Sequence, residues 1–218
     1  MPKKQPDPTP KTPRIRADAQ RNRQKVLDAA ARVFNRDGTD ASLNQIAREA
    51  GVGIATLFRH FTTREELIEA TFRNELARLC DAAPELAAEK PAAEATAEWM
   101  ERFLEYMTTK HGMVDTLQAM MVTGSPLYLE TLGRLTDAVA ALIDAGVHSG
   151  EFRDDVSPSD ALAQLGGIAY MAGEPGQRDQ ARRMIALLIA GLRQSGEAES
   201  ARNKDCDRLA QSDRRGQR

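Results

Sequence analysis

Apolar residues recur at steps of three and four along most of this chain, with polar residues between them, which is the signature of amphipathic helices. Val26, Leu27, Ala30, Ala31, Val33 and Phe34 form one stripe, on a helix with Asp18 as its N-cap and Gly38 as its C-cap. Leu43, Ile46, Ala47 and Ala50 predict a short second helix that stops at a sharp Gly51-Val52 break. Gly53 to Phe61 predicts a third, with Leu57 and Phe61 on one face and Ala55, Thr56 and Arg59 away from it. Thr63 opens a fourth, because Thr63 and Glu66 have the spacing of a capping box. That helix runs through Leu67, Ile68, Phe72, Leu76 and Leu79 and is expected to end before Pro84.

Residues 83–93 read as a soft boundary, and helical periodicity then resumes. Trp99, Met100, Phe103, Leu104 and Met107 make one stripe, ending near His111-Gly112. Met113, Leu117, Met120 and Met121 make a shorter one, closed by Thr123-Gly124-Ser125-Pro126. Tyr128 to Val147 is a long amphipathic segment through Leu132, Leu135, Val139, Leu142 and Ile143. After a turn at Gly150, Ser157 or Ser159 caps a helix over Asp160–Met171 that is rich in small residues. A last helix spans Asp179–Gln194. No strand or internal repeat is evident, so the expected fold class is all-α.

The termini have a different character. Residues 1–16 contain five prolines and no apolar period, and everything after Ser195 is polar. Neither buries enough apolar surface to offset its ordering entropy, so residues 1–16 are read as a disordered basic arm and 196–218 as a disordered polar tail. Between them, 17–63 and 64–195 divide as a small head and a larger helical domain. The net charge of -2 hides a marked asymmetry. Residues 1–25 carry eight Lys/Arg against two Asp, whereas 81–200 carry nine against nineteen acidic residues. A polyanion contact is therefore expected only near the N-terminal end, unless the basic arm simply aids solubility. No apolar run reaches the roughly 18 residues of a membrane helix, and no signal-peptide pattern is seen. Two cysteines, Cys80 and Cys206, fit a reducing cytoplasm better than a disulfide framework.

Two helices joined by a short glycine-containing turn make a helix-turn-helix, whose second helix usually enters the major groove. Spacing alone leaves an ordinary helical hairpin equally open. Motif detail changes that balance. Ala30, Phe34 and Gly38, followed by IAREAGVGIATLFRHFTTREEL, resemble the TetR/AcrR family of transcriptional regulators over residues 20–80. The turn Gly150-Glu151-Phe152-Arg153-Asp154-Asp155-Val156 resembles those before that family's last two helices, and the C-terminal half resembles its SbtR-like subgroup. The resemblance implies about nine helices: a three-helix DNA-binding domain, then a helical ligand-binding and dimerisation domain. It also implies a homodimer whose operator is released by a small ligand.

By this resemblance Ile54, Ala55 and Thr56 open the groove-facing helix. Ala55 and Thr56 are candidates for thymine methyls, Arg59 for guanine or phosphate, His60 and Arg64 for phosphate, and Asn44 for a phosphate or base. Two positions depart from the pattern. Gly53 stands where a capping serine is usual, and Phe58 where tyrosine is common, leaving ring contact with a sugar or a thymine methyl. Each of these residues also has a plainer reading as solvated surface.

Trp99, Phe103, Met107, His111, Met120, Met121 and Tyr128 gather aromatic and thioether surface; from spacing this is core, and by resemblance it is the pocket of a partly apolar effector. Ala163, Gly166, Gly167 and the apolar positions Ile185, Leu188, Ile189 and Leu192 suggest a homodimer through the last two helices, about 160–194. No metal-ligand spacing, cofactor motif or catalytic motif is present. The competing classes are a helical adaptor and a DNA-processing enzyme with a helix-turn-helix arm; the latter needs a catalytic cluster that the sequence does not show.

Overall fold

The computed structural model describes residues 12–111, 126–172 and 176–194. Eight α-helices lie within them: α1 (Thr12–Asp37), α2 (Leu43–Glu49), α3 (Ile54–His60), α4 (Arg64–Glu89), α5 (Ala92–His111), α6 (Pro126–Ser149), α7 (Pro158–Ala172) and α8 (Arg178–Leu192). The helix expected around Met113–Met121 falls outside the described residues. Among the described residues, extended pairing is confined to one bridge, Phe152 with Arg193. The chain forms two compact units, and the division falls after Leu76, inside α4.

Two boundaries differ from the reading of the sequence. Helix α1 begins at Thr12, so residues 12–16 are helical and not part of a disordered arm. Pro13 sits in the first turn, where its missing N–H costs nothing. Asp18 is accordingly not a cap; it lies inside the helix and pairs with Arg21. Helix α4 does not stop before Pro84 but continues to Glu89. An interior proline frees a carbonyl one turn earlier. Burial of Ala82 and Ala83 before it and Leu86 after it supplies the apolar contact that keeps the helix going.

In the first unit α1, α2 and α3 pack against one another. Val26, Leu27, Ala30, Val33 and Phe34 of α1 are buried with Ile46, Ala47, Leu57 and Phe61. Arg32 and Arg36 of α1 bridge Glu49 of α2, and the Gln45 amide donates to Asp37 at 2.6 Å. The Arg36 guanidinium and the Gln45 amide, both hydrogen-bonded to Asp37, hold its carboxyl below the usual carboxylate range.

The second unit is organised on α5. Trp99 is fully buried, donates its Nε1–H to the Leu79 carbonyl at 2.8 Å and stacks on Phe103 with centroids 5.9 Å apart. Trp99 and Phe103 therefore sit in the core of this unit, while Met107 is half-buried. The side chains of His111, Met120, Met121 and Tyr128 lie outside the described residues. Gly150, at φ 77°, ends α6, and the chain turns so that Phe152 packs against Gly146. The Glu151 carboxylate then accepts from the Ala92 and Ala93 amides at 2.9 and 3.2 Å. These are orphan donors of the first turn of α5, satisfied by a residue nearly sixty positions downstream. The Arg153 N–H donates to the Leu192 carbonyl and the Gln194 N–H to the Glu151 carbonyl, tying the same turn to the end of α8.

The last two helices correct one expectation. Ile185, Ile189 and Leu192 are buried inside the unit and do not form a spare apolar face. The exposed apolar residues are Leu187 (72%), Tyr170 (79%) and Met171. Leu187 and Met171 border a groove of about 800 Å³ between α7 and α8, lined also by Ile168, Met184 and Leu188. Periodicity alone does not say which side of a two-sided apolar helix its neighbours cover.

Candidate nucleic-acid interface

The α2–α3 unit is set by its turn. After α2 the chain needs one left-handed residue, and Gly51 supplies it at φ 67°. The Gly51 N–H donates to the Arg48 carbonyl and the Val52 N–H to the Ala47 carbonyl, a Schellman closure that satisfies two of the last carbonyls of α2. Gly53 then opens α3 without a side-chain cap, as its lack of a side chain dictates. Leu57 and Phe61 bury the inner face of α3, and the Arg23 guanidinium lies 5.2 Å above the Phe61 ring.

The start of α4 is fixed next to it. The Glu66 N–H donates to Thr63 Oγ1 at 3.1 Å, the expected half of the capping box. The return bond is shifted by one residue, with Glu66 Oε2 accepting from the Thr62 N–H at 2.7 Å. Arg64 has a task that its motif position does not reveal. Its Nη1 donates to the Thr39 and Ala41 carbonyls at 2.6 and 2.7 Å, clamping the loop between α1 and α2. It is half-buried.

The opposite face of this unit is open. Asn44 on α2 is exposed, as are Ala55, Phe58 and Arg59 on α3; Ile54, Thr56 and His60 are half-buried. The His60 ring lies 6.3 Å from that of Phe61, tilted. The side chains of Arg59, Arg48 and Lys25 make no ion pair or hydrogen bond among the described residues. Arg48 was not picked out by the motif. It follows Asn44 by four residues, so the two share a face of α2, and that spacing was the available signal. The structure thus gathers Asn44, Ala55, Phe58 and Arg59 as exposed groups on two adjacent short helices, with Arg48 added. It gives Arg64 carbonyl partners in place of an open position.

Comparisons with known proteins agree with this geometry. A model of the N-terminal domain of bacterial regulatory proteins of the tetR family matches residues 26–71, and a model of the SbtR-like transcriptional regulator C-terminal domain matches residues 91–194. The crystal structure of a TetR transcriptional regulator from Streptomyces coelicolor is 49% identical, covers 79% of this chain and 99% of its own, and superposes with a TM-score of 0.73. A TetR transcription regulatory protein from Mycobacterium vanbaalenii is 28% identical, covers 83% of this chain and 99% of its own, and gives a TM-score of 0.66. A curated helix-turn-helix-type transcriptional regulator of Staphylococcus aureus is 36% identical over 63 residues, which is 28% of this chain and 34% of that regulator. The match therefore spans about a third of the curated relative's length. With both halves matched and a solved relative 49% identical over nearly all of its chain, this protein belongs to the TetR family of transcriptional regulators.

Proposed function

We propose that this chain is a ligand-responsive repressor that binds a near-palindromic operator as a homodimer. The observation that carries the reading is the exposed face of α2 and α3. It holds two arginines whose side chains have no partner among the described residues, Arg59 and Arg48, beside small and apolar groups, Ala55 and Phe58, able to approach base edges. Asn44 and Arg48 flank it, in positions suited to the phosphate contacts that set register. His60 and Arg64 complete the phosphate-facing set in this reading, with Ile54 and Thr56 at the groove-facing start of α3.

The division of labour is testable by fluorescence anisotropy on matched and mismatched duplexes. Arg59→Ala is expected to cost about 1–3 kcal/mol and to relax preference at one operator position. Arg64→Ala is expected to weaken all duplexes alike and flatten the salt dependence. Because Arg64 also clamps two carbonyls, lysine should restore less than a pure charge contact would allow. Indistinguishable behaviour of the two alanine variants on every duplex would refute these roles.

Dimerisation is assigned to the α7–α8 groove. Gly166 and Gly167 meet nothing within 4 Å at the place a Cβ would occupy, so packing within one chain does not require them to be small. A partner helix approaching closely does. Sedimentation at micromolar concentration should show a dimer, and Leu187→Asp should give a folded monomer. A wild-type monomer would exclude this arrangement. Two heads related by a two-fold axis would then meet successive major grooves, about 34–36 Å apart. A partly apolar effector bound in the second unit would act through α4, which is continuous across the division between the units. Linkage requires that an effector that weakens DNA binding be weakened equally by DNA.

A further inference from the structure

The groove between α7 and α8 is apolar along its middle and charged at its two ends. Leu187 stands 72% exposed on α8, and across the groove a Cβ at Gly167 would meet nothing within 4 Å. At one end lies Asp160, in the first turn of α7, lining the groove with Gly191 of α8. At the other lies Arg183, which precedes Leu187 by four residues and so shares its face of α8. Both charged groups are exposed, and neither side chain makes an ion pair or hydrogen bond among the described residues. Their charged neighbours are committed elsewhere. Asp155 holds Arg153, and Arg182 holds Glu101 and Asp179.

The positions of these groups favour one way of covering the groove. Helices α7 and α8 pack on each other, and the Arg153 N–H bonds the Leu192 carbonyl, so the start of α7 lies beside the end of α8. Along α8, Leu187 stands about 6 Å from both Arg183 and Gly191. A two-fold axis through Leu187 and across the helices therefore carries the Arg183 end of one copy onto the Asp160 end of another. An axis along the groove would set acid on acid and base on base. Resting on the homodimer assigned to this groove above, we infer that a second copy is seated in a single register. In it Arg183 pairs with Asp160 of the partner subunit, twice across the axis. Leu187 supplies the apolar centre, and the two ion pairs set orientation and partner choice. A similar helical pair with a mismatched charge at either end is rejected even where its apolar centre fits.

Exchanging the charges isolates this pairing. Sedimentation of the full-length protein should show Arg183→Glu and Asp160→Lys each weakening self-association by roughly tenfold to a hundredfold, because two attractions become two repulsions. Mixed in equal amounts, the two variants should associate about as tightly as the wild type, since both pairs then form with their signs exchanged. The chain carrying both substitutions should likewise self-associate. Asp160 also lies in the first turn of α7, where a carboxylate favours the helix. Recovery on mixing separates pairing from that local effect, and circular dichroism checks that each variant is folded. Added salt should weaken the wild-type dimer more than the dimer of Arg183→Ala/Asp160→Ala.

Single variants that dimerise as tightly as the wild type would overturn the register. So would a loss of association that mixing does not restore. A wild-type chain that is monomeric at micromolar concentration would instead remove the homodimer itself, and the register with it.

Discussion

Trp99→Ala is expected to lower folding stability by about 3–5 kcal/mol, the largest effect of any single substitution considered for this chain. The indole is fully buried, so its removal leaves a cavity that neighbours cannot fill without moving α5. It also removes two directional contacts, the stacked Phe103 ring and the hydrogen bond to the Leu79 carbonyl. Trp99→Phe keeps part of the volume and loses the hydrogen bond, so it should fall between wild type and alanine. Urea unfolding followed by circular dichroism checks both. A loss under about 1 kcal/mol for the alanine variant would show that the surroundings repack freely, contrary to the close packing of protein cores. The functional consequence follows from Leu79, which lies on α4. In the scheme proposed above, loosening the grip of α5 on α4 should weaken the effector's influence on DNA more than it weakens DNA binding itself.

Gly146→Ala is the second strong prediction, because its sign runs against helix propensity. An exposed helical glycine usually gains about 1 kcal/mol on becoming alanine. Gly133, in the same helix, meets that condition, since a Cβ there has nothing within 4 Å. At Gly146 a Cβ would stand 2.1 Å from Cδ2 of the Phe152 ring and 2.5 Å from its Cγ. Phe152 is fully buried and held on both sides by Glu151 and Arg153, so the ring has no free direction. The net loss should be about 1–3 kcal/mol, as for other overpacked sites. Thermal unfolding of Gly133→Ala and Gly146→Ala side by side checks the opposite signs. Phe152→Leu should cost stability alone yet recover part of the loss in the Gly146→Ala background, a coupling that separates a steric clash from a general intolerance of change. Because the same turn anchors the start of α5 and the end of α8, the clash should also shift the dimerisation equilibrium.

The fold and the interface were legible to different depths. Helix order and the α2–α3 turn could be read because apolar stripes, the Gly51 closure and the Thr63 box are all local, set within about one turn of helix. The candidate DNA face was legible through the motif, yet the motif assigned Arg64 to phosphate. Its two carbonyl partners lie 25 and 23 residues earlier, beyond the reach of any local pattern. Arg48 was passed over for a related reason. Its ionic neighbours were unknown until the structure showed Arg32 and Arg36 on Glu49 and left Arg48 without a pairing.

What the sequence determined by itself was the order of the described helices, the turn at Gly51 that sets α3 after α2, and the membership of the family, because these depend on short-range periodicity, caps and turns. What only the tertiary structure decided was how far helices extend and which groups remain available. Helix α4 passes Pro84 because distant contacts offset a local defect. Helix α5 is capped by Glu151 from another part of the chain. Phe58 and Leu187 stay exposed while Phe61 and Ile189 do not, although all four are apolar residues within helical patterns. Burial is a property of the neighbours a residue meets, and those neighbours are mostly remote in sequence.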